Sequence, residues 1–201
     1  FPGGLNDCLA TVKWVHENAV ALRIDRTRVT LSGESGGGNL AIATALRLKS
    51  EGQAQLQMIR NVYVLCPYTL GIFPCEKYPS TVDNAGIFLD YPLDQVIVVT
   101  KYQSEGDDLH GTKNIYAWPG YCVEADVVGF PPLAVVVNEF DPLRDHGVDF
   151  HQLCQRADVP TSLEVLKGTI HGIGSYLPNV CPDITREQTR KIAQFALTGT
   201  L

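Results

Sequence analysis

Three side chains far apart in this 201-residue chain could act together on a carbonyl group: a serine, an aspartate and a histidine. The serine is the most clearly marked. Gly33-Glu34-Ser35-Gly36-Gly37 fits the pattern G-x-S-x-G. It stands where a nucleophile elbow must stand, on a sharp turn between a strand and a helix. Val29-Thr30-Leu31 read as a short strand, and from Asn39 the pattern turns helical, with Leu40, Ala41, Ala43, Ala45, Leu46 and Leu48 apolar. Glycines on both sides of Ser35 let strand and helix pack around a strained turn. A helix beginning there places its positive end beside the reacting atom. A phosphate loop is the other chemistry such a turn can carry. It would need Lys-Ser/Thr after the last glycine, where this chain has Asn39-Leu40.

A serine hydroxyl is a weak nucleophile until a base takes its proton, and the base in turn needs an acid to orient it. In an open parallel sheet such groups gather beyond the C-terminal ends of the strands. Asp141 follows the apolar run Pro132 to Glu139, and His171 lies in the loop Gly168 to Gly174, after the run Ser162 to Leu166. Ser35, Asp141 and His171 are therefore the expected nucleophile, orienting acid and base. The N–H of Gly36, next after the nucleophile, is an expected oxyanion donor. The rivals read less well. Glu139 is expected within its strand and on the wrong face, and Asp145 in a first helical turn, where its charge suits the dipole. His146 and His151 fall on the following helix, His110 in an outlying loop and His16 on the first helix. Helix N-cap is the structural alternative for Asp141, and a loop histidine without a role is the one for His171.

The elements that must position these residues alternate as strand and helix, the pattern of an α/β layer with a mostly parallel sheet. An N-terminal helix capped by Asn6 or Asp7 buries Leu5, Leu9, Val12 and Val15. Asn61 to Cys66 and Pro132 to Glu139 are continuous apolar runs, suited to strands covered on both faces. A helix carrying Val148, Phe150, Leu153 and Cys154 follows Asp141. An amphipathic helix from Pro182 to Leu197, capped by Asp183 or Thr185, closes the chain. Residues 68–129 break the pattern. They are rich in aromatics, prolines and glycines, with one expected helix near Asp90 to Ser104 and an exposed loop at Asp107 to Gly111. This stretch is expected to leave the sheet as a cap-like excursion within a single domain, either covering the site or merely elaborating the surface.

Composition bounds the alternatives. Hydrophobic residues make up 45% and charged residues 19%, an ordinary globular balance, and the net charge of −6 argues against nucleic acid or anionic membrane as partner. No apolar run reaches membrane-spanning length. The six cysteines show no C-x-x-C spacing, so no zinc site is expected. Reduced thiols are favoured, and with them a cytoplasmic setting. Cys75 and Cys122 are the pair that an oxidising compartment would join.

Phe1-Pro2-Gly3-Gly4-Leu5-Asn6-Asp7-Cys8-Leu9-Ala10, Gly33 to Ala41, Ala117-Trp118-Pro119, Gly129-Phe130-Pro131-Pro132, Asn138-Glu139, Asp141 to Asp145 and His171-Gly172 occur in one order over nearly the whole chain. In these motifs the chain resembles the hormone-sensitive-lipase branch of the α/β-hydrolases. The resemblance implies an α/β-hydrolase fold with a cap. It also implies Ser35, Asp141 and His171 as a triad and hydrolysis of small to medium carboxylic esters through an acyl-enzyme, with no metal or organic cofactor. Glu34 and Gly36 stand where many members have Asp and Ala, and His146 replaces a usual acidic residue. The family's His-Gly-Gly-Gly segment, source of most oxyanion donors, would precede Phe1. The sequence is thus expected to be the C-terminal half of an eight-stranded fold, with the strand at Val29 to Leu31 as an apolar edge and the upstream half missing or supplied by another chain. Two functional expectations stand side by side: a serine carboxylesterase, and a non-catalytic small-molecule binder or inactive fragment lacking its oxyanion segment. A small ester is the expected ligand, with a homo-oligomer as a further arrangement.

Overall fold

The computed structural model describes residues 1–89, Tyr102 and residues 108–199. Among these residues, four strands pair in parallel in chain order: β1 (Thr30–Glu34), β2 (Asn61–Leu65), β3 (Leu133–Asn138) and β4 (Thr161–Leu166). Parallel neighbours need long crossovers. Two of these carry the helices Gly36–Glu51 and Arg144–Arg156. Numbering only the long helices, we call Gly3–Glu17 α1, Gly36–Glu51 α2, Arg144–Arg156 α3 and Pro182–Thr198 α4.

The period of two along each strand divides the core. Val62, Val64, Leu133, Val135 and Val137 face one side and pack with Leu5, Leu9 and Val12 of α1, Ile42, Leu46 and Leu48 of α2, and Phe150, Leu153 and Cys154 of α3. Tyr63, Ala134 and Val136 face the other side, where Phe195 and Ile192 of α4 cover them. Both faces of β2 and β3 are therefore buried, which explains their unbroken apolar sequence. β1 is half-exposed and lies at one edge of the described sheet.

Element boundaries correct the sequence in a few places. α1 starts at Gly3 rather than beyond Asn6, because the Pro2 carbonyl already accepts the Asn6 N–H at 3.0 Å. Neither Asn6 nor Asp7 caps it, and Val15 is only half-buried. Cys181 occupies the N-cap of α4, with Pro182 in the first turn. Asp183 and Thr185 lie inside that helix. Glu139 lies beyond the end of β3, so strand alternation does not set its direction.

The described residues between 68 and 129 lie outside the sheet, between β2 and β3 in the chain. The helix expected near Asp90 to Ser104 lies outside the described residues except for Tyr102, as does Asp107. The remainder holds single turns at Ser80–Asp83 and Glu124–Val127 and a 3-10 turn at Pro119–Tyr121. Tyr68, Leu70, Cys75, Tyr78, Leu109, Ala117 and Trp118 form a second small core that rests on Leu143. Of the loop expected to be exposed, Asp108 and Gly111 are exposed and His110 is half-buried, while Leu109 turns inward and is buried. All six cysteines are free, with Cys75 and Cys122 buried.

Candidate active site

Ser35 sits between β1 and α2 at φ 56°, ψ −121°, a sparsely populated conformation for a residue with a side chain. Three backbone bonds hold it there. Its N–H donates to Leu65 O at 2.9 Å, and its carbonyl accepts from Asn39 N at 3.1 Å and Tyr68 N at 3.0 Å. Close approach dictates the glycines. A Cβ on Gly33 would stand 2.1 Å from the Gly37 carbonyl oxygen, and one on Gly38 would stand 3.0 Å from Pro67. Gly36 is the first residue of α2 and is exposed. Its N–H has no intrahelical partner, as at any helix start.

Asp141 follows β3 and is fully buried; His171 follows β4 and is 2% exposed. His171 Nδ1 lies 2.8 Å from Asp141 Oδ2, and Asp141 Oδ1 accepts the Leu143 N–H at 2.8 Å. A carboxylate only accepts, so the proton of the first bond resides on Nδ1 and leaves Nε2 of the neutral ring as an acceptor. The loop carrying Asp141 is braced from the excursion: Asn84 Nδ2 donates to Asp141 O at 3.1 Å, and Ser80 Oγ donates to Pro142 O at 2.8 Å. The loop carrying His171 is tied to β3 through Thr169 Oγ1, 3.0 Å from Asn138 Oδ1. The three expected residues thus stand beyond the C-terminal ends of β1, β3 and β4.

The rivals are engaged elsewhere. Glu139 accepts from Gly168 N at 2.7 Å and from Lys167 at 3.1 Å, which hold its carboxyl below the usual range. Asp145 lies in the first turn of α3 and accepts the Ser80 N–H at 2.7 Å. His110 stacks on Trp118, with Nδ1 2.9 Å from the Tyr121 hydroxyl, and His151 Nδ1 is 3.0 Å from Thr161 Oγ1. His16 is half-buried on α1. His146 is fully buried among Tyr68, Phe73 and Tyr78, and burial pushes its imidazole down to about 3.

Sequence reasoning passed over two further residues. Asn39 Nδ2 donates to Tyr68 O at 2.8 Å and Ala117 O at 3.0 Å, so the start of α2 is moored to two separate points of the excursion. Cys66, read only as a buried thiol of an apolar strand, follows β2 and completes the row of strand ends. Its Sγ lies with a carboxylate oxygen of Asp141 and a ring nitrogen of His171 within 4.8 Å of one another. This is the cluster of metal-type ligands found among the described residues, but Asp141 is already engaged by His171 and Leu143. Two hollows adjoin the site. One of about 180 Å³ opens beside Gly36 between Leu40, Tyr68, Tyr102 and Trp118. The other, of about 220 Å³, lies behind it between Glu34, Cys66, Asn138 and α4.

Residues 1–175 match the family described as alpha/beta hydrolase fold. Over 193 residues the sequence is 27% identical to the esterase LipI of Mycobacterium tuberculosis, covering 94% of this chain and 56% of that protein. Over 174 residues it is 30% identical to an arylesterase of Saccharolobus solfataricus, covering 85% of this chain and 52% of that protein. Among solved structures, esterase Est22 superposes with a TM-score of 0.90 at 42% identity, over 98% of this chain and 56% of that one. Brefeldin A esterase, a bacterial homologue of human hormone-sensitive lipase, gives 0.89 at 36% identity, over 98% and 55%. The chain spans about half the length of the curated relatives it matches.

Proposed function

The chain belongs to the α/β-hydrolase fold family, and from that membership we propose that it is a serine carboxylesterase acting on small to medium carboxylic esters. One observation carries the reading: a buried 2.8 Å bond between Asp141 and His171, at the same sheet end as a serine on a strained elbow. Ser35 Oγ attacks the ester carbonyl while His171 Nε2 takes its proton. The same nitrogen then returns the proton to the leaving alcohol, and a water repeats the sequence on the acyl-enzyme. Asp141 keeps the proton of the neutral ring on Nδ1 and stabilises the imidazolium. The Gly36 N–H donates to the oxygen of the tetrahedral intermediate. No metal or organic cofactor takes part in this scheme. Residues 68–129 act as a cap-like excursion that supplies the aromatic walls beside Gly36.

A second reading is a non-catalytic binder of small esters or an inactive fragment, favoured by one observation. Gly36 supplies a single donor, and no His-Gly-Gly-Gly run occurs in the 201 residues. Removal of one oxyanion donor costs about 10²–10³ in rate. Hydrolysis of p-nitrophenyl acetate by the chain and by Ser35→Ala separates the two readings. The esterase reading expects turnover that disappears in the variant. Equal rates in both overturn it in favour of the second.

A further inference from the structure

The reaction just proposed divides an ester between two sides of the site. Ser35 Oγ gives its proton to His171 Nε2 and bonds to the acyl carbon. The bond from that carbon to the alcohol oxygen then breaks, and the alcohol oxygen takes the proton from Nε2. The acyl group therefore stays with Ser35, whose next residue, Gly36, lines the hollow walled by Tyr68, Tyr102 and Trp118. The described lining of that hollow includes no residue of the His171 loop. The alcohol leaves beside His171, so the groups around His171 decide which alcohol is held.

Two aromatic rings stand on that side. The Tyr176 ring lies 6.2 Å from the His171 ring between centroids, tilted by 37°. It is seated on the backbone next after the histidine. A Cβ on Gly172 would fall 2.2 Å from Tyr176 Cδ2, and the Tyr176 N–H donates to Gly172 O at 2.8 Å. The Phe88 ring lies 6.4 Å from that of Tyr176, tilted by 30°. It comes from the excursion, on a turn closed by the Gly86 N–H to Leu89 O at 3.1 Å. Its backbone adopts φ 67°, a left-handed conformation rare for a bulky residue. Asn84 accepts the Ile87 N–H at 3.2 Å through its carbonyl and bonds Asp141 O through its side chain. One ring is thus tied to the loop of Asp141 and the other to the loop of His171.

Both rings stay open. Phe88 is 49% and Tyr176 56% exposed, and neither packs into the hydrophobic cores described above. A single exposed apolar residue is ordinary, whereas two rings in contact beside a reacting group offer an apolar surface that the packing does not use. We propose that Phe88 and Tyr176 form the subsite of the leaving alcohol and favour a phenol over an aliphatic alcohol of like size. An aryl ring meets both side chains in the offset and edge-on arrangements that aromatic rings prefer, and an aliphatic ring gains apolar burial alone. The inference rests on the esterase reading for its kinetics but not for the binding of the alcohol.

The test measures phenyl acetate and cyclohexyl acetate hydrolysis by the full chain, Phe88→Leu and Phe88→Trp. Tyr176 is left intact because its ring supports the backbone beside His171. Both substrates give the same acetyl-enzyme, so kcat/KM reports the step in which the alcohol leaves. The phenyl-to-cyclohexyl ratio, referred to the parent, cancels their intrinsic reactivities. Phe88→Leu keeps apolar bulk without a ring, and its ratio is expected to fall about fivefold. Phe88→Trp keeps a ring and is expected to hold the ratio within about twofold of the parent. The ratio of phenyl butyrate to phenyl acetate, which varies the acyl group alone, is expected to stay within about twofold in both variants. An unchanged phenyl-to-cyclohexyl ratio in Phe88→Leu overturns the proposal. So does an equal fall in the two variants, or a butyrate ratio that moves as far as the alcohol ratio. Absence of Ser35-dependent turnover in the parent defeats the esterase reading by itself. The subsite is then read by titrating phenol and cyclohexanol into the parent and Phe88→Leu, followed by the aromatic proton resonances. Tighter binding of phenol in the parent only is the expected result, and the same preference in both chains overturns the subsite as well.

Discussion

At the scale of single residues, the proposed esterase scheme turns on where one proton is held. Asp141 has one oxygen on Leu143 N and the other on His171 Nδ1, so its bonds define both its own rotamer and the tautomer of the ring. Asp141→Asn keeps the shape but can present an amide N–H to Nδ1. This reverses the tautomer and places the proton on Nε2, where the base must accept. The expected outcome is a fall in kcat of about 10³–10⁴ with KM little changed, read from p-nitrophenyl acetate kinetics. The placement of Ser35, Asp141 and His171 at one end of the sheet was legible because each follows a recognisable strand. Cys66 follows a strand by the same rule, yet its place beside Asp141 and His171 was not legible. Its left-handed backbone and its sulfur contacts depend on β1, β3 and β4 lying beside it, which no local pattern in Asn61 to Pro67 encodes. Glu139 illustrates the converse: its apolar neighbours suggested a strand interior, whereas ion pairing with Lys167 and the Gly168 N–H draws it outside.

At the scale of elements, the elbow is a unit whose geometry leaves no room for substitution on its inner side. The Gly33 position faces the Gly37 carbonyl at 2.1 Å, and that oxygen belongs to the first turn of α2, which cannot withdraw without moving Ser35. Gly33→Ala is expected to cost about 3 kcal/mol by overpacking. For a chain of this size that lowers the thermal midpoint by roughly 6–12 °C, measured by calorimetry or circular dichroism. Gly36→Ala is the internal control, because nothing lies within 4 Å of a Cβ there. The strand, turn and helix were legible from residue order alone. The excursion was legible as irregular sequence but not as a brace. Its polar residues Ser80 and Asn84 look like ordinary surface residues, and only the fold brings them under the loop of Asp141.

At the scale of the whole molecule, the buried histidine of α3 couples folding to pH. His146 sits beneath the excursion with Tyr68, Phe73 and Tyr78 around it. The Thr69 N–H donates to its Nδ1 at 3.2 Å, which requires the neutral ring with its proton on Nε2. Burial lowers the imidazole from 6.5 to about 3 in the folded chain. Above pH 6.5 neither folded nor unfolded chain carries a charge at this residue, so it contributes no pH dependence there. Below 6.5 the unfolded chain takes up a proton that the folded chain refuses, and stability falls with each step toward pH 3. At pH 5 the loss amounts to about 2 kcal/mol. His110 and His151, also lowered by burial, act in the same direction, so the parent slope is a sum and the informative quantity is a difference. His146→Asn keeps an acceptor for Thr69 N and removes the titration. Its absolute stability is expected to drop because the ring's packing is lost, but its urea-unfolding free energy should fall by about 2 kcal/mol less than the parent's between pH 7 and pH 5. Parallel slopes for the two chains would place the acid sensitivity elsewhere. The excursion, whose inner wall is this ring, would then be held independently of its protonation.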